Sequence, residues 1–301
     1  MNNLYIKSVL YSSFLSLLLI NLSSCDKSAQ INDYTIEGSN TTKKLVSALA
    51  GDYHNRQQTN ILVKGGGSEH AIYRFLSGKI DFLNSSRKLT DEEIIQAQEE
   101  GNGTIKEIVF GLDAITIIVN PKNIVHELSV QQLTNIFEGK IKNWKEVGGT
   151  DSPIRIYCRN SASGTHNFVE NKFVRNGFSK DATRLDSPEE VVIAVKKDVC
   201  GIAYSDISAI TLKKQLPING IWPLYIKIEG DESISPFQYS EVKNGNYPLI
   251  RPLYQYIRGE KRYFFSFISF ELSKEGQKIV EEQGFLPIQP IHEQFNKQHG
   301  F

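Results

Sequence analysis

The chain opens on one apolar stretch and then alternates between two periodicities. Residues 9–22 are almost wholly apolar or small, centred on Leu15, Leu17, Leu18, Leu19 and Ile20. That run is too short for a membrane-spanning helix and fits the apolar core of a secretory leader. Polar residues 26–33 then read as a tether. From there short apolar runs and helical stripes take turns. Residues 34–36, 61–63 and 80–83 predict strands. Leu45, Leu49 and Tyr53, spaced i, i+4, i+8, predict an amphipathic helix between the first two, and Ile72, Phe75 and Leu76 a second helix. This β-α-β-α-β order predicts a largely parallel sheet with helices on both faces. Residues 114–120 form a strongly apolar run that Pro121 ends, and a second α/β series follows. It comprises strands at 154–157 and 201–204 and a helix at 191–197. In between, Ile136, Phe137, Ile141 and Trp144 read as core, with Gly148-Gly149 as a turn. Residues 261–283 read as helical. The pattern predicts two α/β lobes, each a mixed sheet flanked by helices, with the chain crossing between them near 113 and near 255. The expected organisation is a leader over 1–24, a tether over 25–33, lobe I from 34–113 and 256–301, and lobe II from 114–255.

The end of the leader changes the expected location. Leu22-Ser23-Ser24-Cys25 resembles a bacterial lipobox, in which the cysteine is acylated and becomes the first residue. Two or three acyl chains suffice for stable attachment, so an extracytoplasmic protein anchored at Cys25 to a bacterial membrane is expected. Loss of residues 1–24 removes only Lys7 from the charge balance, leaving 33 basic and 34 acidic side chains, a formal charge of −1. That balance carries no nucleic-acid footprint. Any affinity for anions must come from local groups. Cys158 and Cys200 remain, either as a disulfide in an oxidising compartment or as two thiols. Neither they nor His54, His70, His126 and His292 have the spacing of a metal site, and no cofactor is expected.

Candidate chemistry sits at four turns. Gly38-Ser39-Asn40-Thr41-Thr42, Gly65-Gly66-Gly67-Ser68 and Arg159-Asn160-Ser161-Ala162-Ser163-Gly164-Thr165 each place glycine and hydroxyl residues between a strand and a helix. Glycine permits close backbone approach, and Ser, Thr or Asn can cap the free N–H groups of a helix start. The same N–H groups, with the positive end of the helix dipole, attract anions. Capping alone explains one such turn. Three in one chain, the last carrying an arginine able to pair with two oxygens of a phosphate, point to an oxyanion site. A fourth turn, Asn84-Ser85-Ser86-Arg87, follows the strand at 80–83, at the carboxyl end where open α/β sheets bind ligands.

These stretches, together with LTNIFEGKIKNWKEVGG (133–149), GIAYSD (201–206) and YPLIRPLYQYI (247–257), resemble the PstS-type substrate-binding proteins of phosphate ABC transporters. The resemblance covers most of the mature chain. It implies the two-lobed type II periplasmic-binding-protein fold and capture of inorganic phosphate between the lobes. It further implies delivery to the membrane permease subunits of an importer by a protein expected to be monomeric. It implies ligands at Ser39, Asn40 and Thr41, at Ser68, and at Arg159, Ser163, Gly164 and Thr165, with Ser86 and Arg87 contributing from the fourth turn. Two positions depart from the family pattern. Ser86 stands where many members carry an aspartate that accepts the proton of phosphate, and Ser161 stands where an acidic residue often orients the arginine. Glu69 is then the nearest substitute acceptor, or else an acidic residue at a helix start that points to solvent.

Other classes are weaker. Ser163 and His166 supply a hydroxyl and an imidazole, but no nucleophile elbow surrounds them, so a phosphate-ester hydrolase is disfavoured and no catalytic residue is assigned. A sulfate, molybdate or tungstate binder remains the alternative within the same fold.

Overall fold

The computed structural model describes residues 34–101, 103–212, 216–228 and 232–301. The leader, the tether and Cys25 lie outside the described residues. The first strand-helix series forms as the periodicity predicts. Strand β1 (Tyr34–Gly38) leads to helix α1 (Asn40–Gln57), β2 (Ile61–Lys64) to α2 (Ser68–Leu76), and β3 (Phe82–Ser85) to α3 (Asp91–Gly101). β1 lies between β2 and β3, parallel to both. Next comes β4 (Ile105–Val119), then β5 (Glu127–Ser129), α4 (Val130–Phe137), β6 (Arg155–Arg159), α5 (Gly164–Phe173), β7 (Thr183–Leu185), α6 (Pro188–Lys197) and β8 (Gly201–Asp206). Short strands follow: β9 (Thr211–Leu212), β10 (Leu216–Pro217), β11 (Trp222–Pro223), β12 (Tyr225–Lys227) and β13 (Ser233–Ile234). Helix α7 (Tyr239–Lys243), strand β14 (Ile250–Arg258) and helices α8 (Arg262–Leu272), α9 (Lys274–Glu282) and α10 (Pro290–Gln298) complete the chain.

The two mixed sheets expected from the sequence are the two ends of one nine-stranded sheet, eight strands in the order β2-β1-β3-β14-β4-β8-β6-β7 with β11 as the ninth, paired to β4. β4 is long enough to serve both ends. Residues 105–114 pair antiparallel with β14, and residues 115–119 pair antiparallel with β8. Its first half escapes pattern reading because Lys106, Glu107, Gly111 and Asp113 interrupt the apolar positions. Side chains alternate across the sheet and helices cover both faces. On one face of the first end, α1 and α8 bury Leu45, Leu49, Tyr53, Phe264 and Phe267 against Phe82 and Ile257. On the opposite face α2 buries Ile72 and Phe75 against Leu83 and Tyr256. The second end repeats this design. α4 and α5 pack Ile136, Phe137 and Val169 on Ile117 and Tyr204, and α6 packs Val191 and Val195 on Ile118 and Ala203. Trp144 is buried in the same core and Ile141 packs against it.

The helical stretch expected over 261–283 forms as two helices. Ser273 ends α8 and begins α9. Its hydroxyl donates to the Phe270 carbonyl at 2.7 Å and accepts from the Gly276 N–H at 3.2 Å. Side-chain capping of this kind competes with continuation of the helix. Cys158 and Cys200 are both free. The Arg155 N–H donates to the Cys200 carbonyl at 3.0 Å, three residues before Cys158 along β6. Three residues of strand span about 10 Å, beyond the reach of a disulfide. Burial pushes the Cys158 thiol up to about 11.

Candidate functional site

The strand-to-helix turns that the sequence singles out meet between the two ends of the sheet. Ser39 caps α1 by accepting from the Thr41 N–H at 3.1 Å. Its hydroxyl also shares a hydrogen bond with that of Ser86, in the turn after β3. The Ser86 N–H donates to Ser68 Oγ, at the start of α2, at 3.1 Å. Gly38 is required here: a Cβ would sit 2.1 Å from the Asn84 carbonyl oxygen. Asn40 does not join the hydroxyl group. Its side-chain oxygen accepts from the Gly66 N–H at 2.8 Å and so ties the first turn to the second.

The third turn approaches from the other end of the sheet. Ser163 caps α5, accepting from the His166 N–H at 3.4 Å. Gly164 packs so closely that a Cβ would lie 2.7 Å from Ser68 Oγ and 2.9 Å from Ser86 Cβ. Thr165 Oγ1 lies 3.2 Å from Thr41 Oγ1. The N-termini of α1, α2 and α5 therefore converge on one buried locus lined by hydroxyls. Three positive dipole ends make it favourable for an anion.

Arg159, at the end of β6, supplies a cation. It is 4 % exposed. Its Nη2 donates to the Asp186 carbonyl at 2.9 Å, while Nε is buried with no hydrogen-bond partner among the described residues. The orienting role that the sequence leaves unfilled at Ser161 thus falls to a main-chain oxygen. The Asp186 carboxylate is instead held by Asn160 Nδ2 at 2.7 Å.

Arg87 corrects an expectation. It neither contributes a second cation nor points freely into solvent. Its guanidinium donates to both oxygens of Glu69 at 2.6 and 2.8 Å and to both oxygens of Glu93 at 2.8 Å. With its donors so committed, it is a structural ion pair. The same contacts correct Glu69. It neither accepts from the hydroxyl group nor faces solvent alone, but holds Arg87 and also accepts from Asn167 Nδ2 at 2.7 Å, across to α5. His166 is likewise not paired with Ser163 through its ring. Nδ1 lies 3.1 Å from Tyr204 Oη, and the ring stacks on Phe178. Burial lowers its pKa and keeps the imidazole neutral. The His166 ring therefore does not activate Ser163 as a nucleophile.

Three charged residues beside the hydroxyl group are absent from the pattern reading: Asp113 on β4, Asp206 at the end of β8 and Arg251 on β14. All are at most 2 % exposed. Arg251 donates to Asp113 Oδ2 from Nε at 3.1 Å and from Nη2 at 2.8 Å, to Asp206 Oδ1 at 2.6 Å, to Thr165 Oγ1 at 2.8 Å and to the Ser86 carbonyl at 3.2 Å. Asp206 also accepts from Thr41 Oγ1 at 2.8 Å and from Thr165 Oγ1 at 2.9 Å. Burial raises the pKa of Asp113 strongly; Arg251 opposes the shift and the neighbouring Asp206 adds to it. The available signal was a lone charge inside an apolar run, at 113 within 108–119, at 206 closing GIAYSD and at 251 within YPLIRPLYQYI.

Comparison with known proteins adds an independent line. The sequence matches the PBP superfamily domain over residues 26–275. It is 30 % identical over 258 residues to the phosphate-binding protein PstS of Staphylococcus aureus, covering 83 % of this chain and 76 % of that protein. It is 29 % identical over 275 residues to protein SphX of Synechococcus elongatus, covering 87 % of this chain and 80 % of that protein. Among solved structures, it is similar to a substrate-binding protein of the phosphate ABC transporter type from Clostridium perfringens, solved with phosphate bound. That match has a TM-score of 0.74 and 26 % identity, and covers 86 % of this chain and 100 % of the other.

Proposed function

We propose, from the premise that this chain belongs to the PBP superfamily and within it to the PstS-type phosphate-binding proteins, that it captures inorganic phosphate between two lobes and hands it to an ABC importer. One observation carries the reading: the buried Arg159 Nε, without a partner among the described residues, in a turn that converges with two other helix N-termini on a common set of hydroxyls. A buried guanidinium left short of a partner is costly, and an anion compensates both its charge and its hydrogen bond. Ser39, Thr41, Ser68 and Ser86 would hold the anion from lobe I (34–113 and 256–301). Arg159, Ser163, Gly164 and Thr165 would hold it from lobe II (114–255). Asn40 acts one step back, by fixing Gly66. Arg87 is left out of the ligand set.

The surroundings follow from the leader. Residues 1–24 would direct export, Cys25 would carry the lipid, and residues 25–33 would tether a monomeric binding protein outside the cytoplasm, within reach of the permease subunits. Calorimetry on protein stripped of ligand by refolding tests the central claim, with phosphate, arsenate, sulfate and molybdate as titrants. Phosphate and arsenate should bind and sulfate should bind far more weakly. Preferred binding of molybdate or sulfate, or no binding of phosphate, refutes the reading.

A further inference from the structure

Resting on that reading, we propose that Asp206 makes Thr41 and Thr165 hydrogen-bond acceptors toward the ligand, so that the site selects an oxyanion that still carries a proton. Each threonine hydroxyl has one hydrogen and two lone pairs. Thr41 Oγ1 donates to Asp206 Oδ2 at 2.8 Å and Thr165 Oγ1 donates to Asp206 Oδ1 at 2.9 Å. Thr165 Oγ1 also lies 2.8 Å from Arg251 Nη2, whose two hydrogens are shared among this hydroxyl, Asp113 and Asp206, so toward that arginine too the hydroxyl can only accept. The 3.2 Å contact between the two hydroxyls lies inside the same group. Both hydroxyl hydrogens are therefore spent within the cluster, and Arg251 holds the carboxylate that takes them. Lone pairs are what the threonines have left for a ligand.

An acceptor facing an anion is repulsive unless the anion brings a hydrogen. Monohydrogen phosphate brings one; sulfate and fluorophosphate, dianions of similar shape, bring none. Donors for the remaining oxygens come from Arg159, the helix N-termini and the serines, none of which asks for a proton on the ligand. Asp206 is a positioning residue in this scheme, acting through the hydroxyls. It does for this chain what Ser86, hydrogen-bonded to Ser39, is poorly placed to do.

The test compares phosphate with fluorophosphate under mildly alkaline conditions, by calorimetry and by displacement of labelled phosphate, in wild type, Thr41→Val and Asp206→Asn. Valine removes the lone pairs. Phosphate should weaken by about tenfold while fluorophosphate changes by less than about threefold. Asparagine offers N–H groups where the carboxylate accepted, which frees a threonine hydrogen to turn toward the ligand. The phosphate-to-fluorophosphate ratio should then fall by about tenfold or more. Thr41→Val alone decides the matter if Asp206→Asn does not fold. Equal weakening of both ligands in Thr41→Val with an unchanged ratio in Asp206→Asn overturns the proposal, as does fluorophosphate binding that stays undetectable in all three proteins. Wild type that binds no phosphate at all refutes the reading of function instead, before this question arises.

Discussion

Two of the buried arginines among the described residues are almost equally withdrawn from water and do opposite things. Arg159 and Arg251 are 4 % and 2 % exposed. Around Arg251 the protein supplies everything. Two carboxylates, a hydroxyl and a carbonyl take the guanidinium on three of its nitrogens. Around Arg159, among the described residues, it supplies one neutral carbonyl and leaves Nε without a partner. Residue type and burial do not separate the two sites; the balance of partners does. A charge completed by the fold's own strands holds those strands together, whereas a charge left incomplete at converging helix N-termini marks where an external anion belongs.

The sharpest way to break this contrast is to remove each arginine and read both stability and binding. Arg251→Ala leaves Asp113 and Asp206 buried without their cation. It should cost about 3–5 kcal/mol of folding stability, measured by urea unfolding. Arg159→Ala should reverse the pattern. It should cost about 2–5 kcal/mol of phosphate affinity by calorimetry, with little change or a slight gain in stability, because it removes a charge the apo protein does not compensate. If Arg159→Ala unfolds the protein as readily as Arg251→Ala does, the two arginines are alike and the site assignment fails.

The Arg251 cluster also carries a pH signature. Asp113 has its folded-state pKa raised by burial, so the folded protein holds this proton where the unfolded chain has already released it. The stability from that proton is complete below the ordinary aspartate pKa and is lost as pH rises from there through the raised value. This one group contributes at most about 1.4 kcal/mol per pH unit across the window. Unfolding of wild type and Asp113→Asn should therefore diverge with pH, the wild type losing stability that the variant keeps. Parallel profiles would mean that Arg251 holds Asp113 ionised throughout.

How much of this could be read from the chain depends on how local the cause is. Ser39 and Ser163 were legible as helix caps because a cap is settled within three residues of sequence, and both accept from N–H groups of their own helices. The convergence of their turns was legible only through resemblance, since it rests on the way β4 and β14 join the two ends of the sheet. Asp113, Asp206 and Arg251 were not legible as a unit. They lie on three strands brought together by ladder pairing, and nothing near any one of them names the other two. Arg87 misled for the converse reason. It adjoins Ser86 in sequence, yet Ser86 turns inward to Ser39 while Arg87 turns to α2 and α3.

That last divergence gives the smallest expected effect. Arg87 is a third arginine in the neighbourhood, and it resembles Arg251 in being paired with two carboxylates while being less buried. Its side chain is 17 % exposed, against 31 % for Glu69 and 21 % for Glu93. Ion pairs with that much solvent contribute about 1 kcal/mol or less, and Arg87→Ala should cost no more than that in stability. Phosphate affinity should stay within about threefold of wild type, because no donor of Arg87 is directed at the hydroxyl group and Glu69 keeps its hydrogen bond to Asn167 across to α5. A loss approaching that of Arg159→Ala would place a second cation on the ligand. It would also show that an arginine fully paired in the fold can still serve the anion, against the rule that separates Arg159 from Arg251.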